Sequence, residues 1–103
     1  MGVKVRKIFL PNHENEEAYP CDTGSTDVIV LSENGSKYLA SFFTYDNIVE
    51  RRLISKRNGE YMDGLYFWDK NMIIVEECSL TAIQKVVLHL IDEGEFQEAF
   101  KQL

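Results

Sequence analysis

The hydrophobic pattern of the chain changes between the two-residue period of strands and the longer period of helices. Residues 3–10 alternate apolar and basic side chains, which predicts a strand that ends at Pro11. Residues 27–33 and 36–44 flank Asn34-Gly35, a dipeptide that favours a type I′ turn. The pattern therefore predicts a β-hairpin over 27–44.

Counting outward from that turn gives the hairpin register. It pairs Leu31 with Tyr38 and Ile29 with Ala40 on one face. Both faces are then largely apolar. This surplus predicts either helices on both sides of the sheet or a partner that covers one side.

Residues 46–57 have the spacing of an amphipathic helix, which Thr44 or Asp46 can cap and Asn58-Gly59 can end. Arg52 lies inside its apolar stripe. We expect the Arg52 stem to pack on apolar surface with its charge in water, or the side chain to contact a partner. The stripe consists of Tyr45, Ile48, Val49 and Leu53.

Two further strands, 64–68 and 72–76, are predicted as a hairpin, and Ser79 caps a following helix that ends at Gly94. Residues 95–103 repeat a helical pattern too short to be stable alone, so they must dock. The resulting order is strand, hairpin, helix, hairpin, helix, helix (β-ββ-α-ββ-α-α). We expect an α+β fold in which a mainly antiparallel sheet of about five strands packs with two or three helices.

Length and charge narrow the class of protein. The 103 residues predict a single domain, 1–103, with a long polar loop over 11–26. The apolar stretch of the N-terminal segment is too short for a signal peptide, and no stretch of apolar residues is long enough to span a membrane. We therefore expect a cytoplasmic protein with no membrane partner. Seventeen acids against eleven Lys and Arg argue against nucleic acid and favour a basic protein partner.

Candidate catalytic groups are few, and we expect no cofactor and no metal. His13 and Cys21 lie in an acidic segment without a metal-binding spacing, so a solvated loop is the preferred interpretation. Cys78 and His89 are separated along a predicted helix, which disfavours thiol catalysis. Two cysteines make no disulfide framework, so reduced thiols are expected. The sequence therefore favours a protein that is not an enzyme.

Aromatic residues provide the leading contact candidates. Tyr66 and Trp68 share one face of the predicted strand 64–68, and these residue types are enriched in binding hot spots. Ordinary core packing is the competing interpretation. Phe96 and Phe100, on the C-terminal segment, are candidates for contact with a partner or with a second copy of the chain.

Three segments, 59–68, 72–75 and 90–96, resemble small uncharacterised bacterial proteins and, more loosely, immunity-type proteins that neutralise polymorphic toxins. The resemblance implies a compact acidic α+β protein that binds a partner, and it assigns no functional residue. We expect a non-enzymatic protein-binding module, with an immunity-like inhibitor as its sharpest form. The alternatives are a homodimer joined through the second sheet face or residues 96–103, and a small-ligand binder or enzyme without a recognisable motif.

Overall fold

The computed structural model describes residues 3–10 and 24–103, and these form one sheet with four helical segments. The α+β class expected from the sequence is confirmed. The strands are β1 (Val5–Phe9), β2 (Ser25–Ser32), β3 (Lys37–Thr44), β4 (Met72–Val75) and β5 (Lys101–Gln102), and the helices are α1 (Tyr45–Asn58), α2 (Tyr61–Gly64), α3 (Leu80–Asp92) and α4 (Phe96–Ala99).

The sheet is centred on β2 and β3, which pair antiparallel, with β1 antiparallel on the outer edge of β2. The other edge of β3 is shared. β4 runs parallel to β3 beside residues 41–44, and β5 runs antiparallel beside Tyr38 and Leu39. The parallel pair requires a crossover, which α1, α2 and residues 65–71 supply.

The predicted hairpin is present, but its register differs by one residue from the expected one. Gly35 N donates to Ser32 O (3.0 Å) and Ser32 N donates to Ser36 O (2.9 Å), which closes a three-residue loop. Within this loop only Gly35 has a positive φ (90°), so the turn is not of type I′. Asn34 Oδ1 stabilises the loop by accepting from Ser36 N (2.9 Å) and from the Ser32 hydroxyl.

The corrected register decides which side chains face the core. Val30 pairs with Tyr38 and Val28 with Ala40, and all four are buried. Helix α3 covers this face, as its predicted apolar stripe requires, beginning at an N-cap bond from Ala82 N to Ser79 Oγ (3.1 Å). The predicted loop 11–26 is shorter at its end, because β2 begins at Ser25; residues 11–23 lie outside the described part of the chain.

The C-terminal segment docks, as predicted, and it lies on the same face, but the predicted helix over 95–103 is wrong in part: only Phe96–Ala99 is helical, and Lys101–Gln102 form β5. Phe96 and Phe100 are each 2% exposed, and their rings stack at a centroid distance of 4.5 Å. Phe96 also meets Tyr38 edge-on at 5.0 Å. This burial corrects the proposal that Phe96 and Phe100 contact a partner, because their rings complete the core of the single chain.

Helix α1 has the predicted extent, but its buried side is polar and its apolar side chains lie mostly in solvent. Thr44 caps it by accepting from Asn47 N (3.1 Å), and Gly59 ends it in the left-handed conformation. The buried residues of this helix are Asn47 and Ser55, both polar. Four large apolar side chains of α1 are instead at least 42% exposed, namely Tyr45, Val49, Leu53 and Ile54, whereas Ile48 is half-buried.

Candidate protein-binding surface

Residues 61–68 form a left-handed turn and an irregular segment, not the predicted strand. The φ values are 51° at Tyr61, 53° at Met62, 59° at Asp63 and 81° at Gly64. Successive left-handed residues are rare, because each residue with a Cβ costs about 1–2 kcal/mol in this conformation. Strain of this kind persists only where the surrounding contacts hold it in place.

The contact that holds the turn is its close approach to α1. A Cβ added at Gly64 would lie 2.8 Å from the carbonyl oxygen of Arg52 and 3.1 Å from Cγ of Lys56. Only glycine combines the positive φ with this distance. Gly64 N and Leu65 N also donate to the carbonyls of Glu60 and Tyr61, both at 3.1 Å. The turn is therefore fixed against the flank of the helix.

An aromatic cluster anchors the chain on the other side of the turn. The Phe67 ring lies edge-on to Phe43 at 5.6 Å and to Tyr61 at 5.1 Å. The Arg51 guanidinium lies 5.2 Å from the centroids of both Phe43 and Phe67, close enough for cation–π attraction. Arg51 Nε donates to Asn47 Oδ1 (2.8 Å), which explains why the inner face of α1 is polar.

Anchoring Phe67 leaves its neighbours in solvent. Tyr66 is 49% exposed and Trp68 is 56% exposed, and Tyr66 contacts Tyr61 edge-on at 5.5 Å. Met62 and Leu65 are 69% and 74% exposed. We call the exposed side chains of Met62, Leu65, Tyr66 and Trp68 the aromatic loop.

Arg52 lies beside the aromatic loop, because the turn packs against its backbone. It is exposed, and its Cγ is 3.5 Å from the position of a Cβ at Gly64. Three of the five candidates are thus exposed on or beside this segment, Arg52 against the turn and Tyr66 and Trp68 after it. Met62 and Leu65 were not predicted as contact residues. The closely spaced pairs Asn58-Gly59 and Asp63-Gly64 were the signal for a turn in which such residues stay exposed.

The candidates for thiol and metal chemistry are arranged differently from expectation. Cys78 is 5% exposed and disulfide-bonded, which corrects the expected reduced thiol and removes it as a nucleophile. His13 and Cys21 lie outside the described residues. Within residues 3–10 and 24–103, no group of three or more His, Cys, Asp or Glu side chains is placed to hold a metal ion.

A cavity lies at the hairpin end of the sheet, away from the aromatic loop. It measures about 500 Å³ and opens between the residues just before β1, the hairpin turn and α4. Two charged side chains, Lys4 and Glu33, are among those that line it. The mixed lining shows no convergent catalytic pair, so this cavity is a weaker candidate site than the exposed aromatic side chains.

In the described part of the chain, no helix has both the length and the apolar character needed to cross a bilayer. No protein-family profile, no curated protein and no solved structure matches this sequence.

Proposed function

We propose that this protein is a non-enzymatic protein-binding module whose partner docks on the aromatic loop. The observation that carries the proposal is the exposure of Met62, Leu65, Tyr66 and Trp68, between 49% and 74%, on a turn fixed by Gly64 and Phe67. Trp, Tyr and Met are enriched at protein interfaces. A preorganised loop also loses little conformational entropy on binding, which favours affinity.

The sharpest form of this proposal is an immunity-like inhibitor that covers the site of a basic protein. The whole chain carries a net charge of −6, and the aromatic loop is flanked by the exposed acids Glu60, Asp63 and Asp69 as well as by Arg52 and Lys56. Opposite charge raises the association rate, whereas buried aromatic side chains slow dissociation. The association rate should therefore fall steeply with salt, while the dissociation rate changes little.

Affinity capture with matched variants tests the proposed surface. We expect Trp68→Ala to weaken partner binding by about 2 kcal/mol or more, near thirtyfold, as for a central hot spot. Leu88→Ala on α3 is the control, because Leu88 is equally exposed at 57% but lies outside the aromatic loop. Equal capture by Trp68→Ala and the unchanged protein would contradict the proposal.

Fluorescence gives an independent measurement, since Trp68 is the only tryptophan of the chain. Its emission should shift to shorter wavelength when a purified partner buries the indole. A partner that binds tightly without changing the emission would place the interface elsewhere.

We propose a cytoplasmic location, and the redox state of Cys78 tests it. Structural disulfides are rare in that compartment, so the disulfide at Cys78 opposes this part of the proposal. In purified protein, we expect the Cys78 peptide to take up a maleimide only after reduction. If cells treated with a thiol-trapping reagent also yield blocked Cys78, the protein works in an oxidising compartment; trapping of a free Cys78 thiol would support the cytoplasm.

A further inference from the structure

The side of α1 that faces away from the sheet carries an apolar stripe in solvent. Val49 and Leu53 are 58% and 50% exposed, and they lie opposite the buried Asn47 and Ser55 because successive residues turn by about 100°. Tyr45, 58% exposed, extends the stripe by one turn. Apolar side chains spaced by four residues are typical of a helix that packs against another helix.

The two end turns of this helix carry opposite charge, with Glu50, Arg51 and Arg52 between them. Asp46 lies in the first turn, whereas Lys56 and Arg57 lie in the last. Two parallel copies of α1 would bring like charges together. Two antiparallel copies would place the acidic turn of each against the basic turn of the other. Their helix dipoles would also be antiparallel, which is the favourable arrangement.

We propose that α1 pairs antiparallel with α1 of a second copy of this chain. About the two-fold axis, Val49 of each copy packs on Leu53 of the other, and Asp46 faces Arg57 of the other. Both contacts occur twice, so the face is complementary to itself. A different protein would need the same spacing of acid, apolar stripe and base in reverse order to fit as well.

The size of the face sets the strength of the dimer. A helix of 14 residues is about 21 Å long, and one helix pair buries less than the roughly 800 Å² per partner of a standard interface. A dissociation constant in the micromolar range is therefore expected. The contact uses none of the side chains of the aromatic loop, whose turn packs on the neighbouring flank of α1 at Arg52 and Lys56, so it goes beyond the proposed function.

Charge reversal across the two-fold axis tests the arrangement by sedimentation equilibrium. Asp46→Arg and Arg57→Asp, each alone, place like charges at both contacts and should weaken the dimer about tenfold or more. An equimolar mixture of the two variants should dimerise again, because every contact then joins an acid to a base. The matched controls on α3, Asp92→Arg and Lys85→Asp, should leave the dimer unchanged.

Three results would overturn the proposal: a monomer at roughly 500 μM, two single variants that dimerise normally, or a mixture that does not recover. Circular dichroism establishes that each variant is folded. Leu53→Asp provides a second variant, which should weaken the dimer about a hundredfold by placing charge in the contact. Leu53→Asp should still capture a partner, and Trp68→Ala should still dimerise, so the two proposals fail separately.

Discussion

Replacing Phe100 with alanine should lower the free energy of unfolding by about 3–5 kcal/mol, because the change leaves a cavity in the core. Phe100 is 2% exposed, stacks on Phe96 at 4.5 Å and meets Phe42 at 6.2 Å. For a domain of this size the Tm should fall by about 15 °C or more. Urea denaturation followed by circular dichroism measures the loss.

Leu103→Ala is the control for this change. Leu103 belongs to the same C-terminal segment but is 61% exposed, so its loss should alter stability by less than about 0.5 kcal/mol. A Phe100→Ala protein that keeps its stability but binds a partner poorly would instead show that Phe100 belongs to a binding surface and not to the core.

Gly64→Ala should destabilise the protein by about 3 kcal/mol and weaken partner binding. The added Cβ meets two costs, a left-handed backbone and overlap with the Arg52 carbonyl at 2.8 Å. The carbonyl is part of α1 and cannot rotate away, so the turn must move and take Tyr66 and Trp68 with it. Thermal unfolding gives the stability, and the affinity is measured for the variant that remains folded.

Two further variants separate the costs. Gly94 has a similar φ of 75°, but a Cβ there meets nothing within 4 Å, so Gly94→Ala should cost only about 1 kcal/mol. Met62→Gly relieves a left-handed residue and should leave stability within about 0.5 kcal/mol or raise it. A clear loss from Met62→Gly, with little from Gly64→Ala, would be incompatible with the left-handed turn.

Sequence periodicity identified α1 and α3 because it reports which residues share a face. For α3 that was sufficient, since its apolar face is also its buried face, with Ile83 and Val87 fully buried. For α1 it was not. The neighbouring sheet end presents Phe43, and the polar side chains of Asn47 and Arg51 fit there by hydrogen bonding to each other and by cation–π contact. Nothing in a single sequence states which helix face meets such a neighbour.

The hairpin and residues 64–68 were mispredicted for local reasons. Asn34-Gly35 suits both a two-residue and a three-residue loop, and the hydrogen bonds of Asn34 with Ser32 and Ser36 favour the longer one. Because strand side chains alternate, the one additional residue in the loop moved Tyr38 and Ala40 to the same face as Val30. Residues 64–68 alternate like a strand, but Gly64 packs against α1 and Phe67 against Phe43 and Arg51, and these contacts keep the segment from pairing with β4.

The shared edge of β3 has a consequence for the nascent chain. Hairpin β2–β3 contains only neighbouring segments and can form early, whereas β5 reaches Tyr38 and Leu39 only by closing a loop of about 60 residues. Until residue 102 has left the ribosome, the edge of β3 at Tyr38 and Leu39 stays unpaired. The same strand contains Phe42 and Phe43 and is largely apolar. An open apolar strand edge is the template on which chains aggregate, so chaperone protection during synthesis should matter more for this protein than its small size suggests.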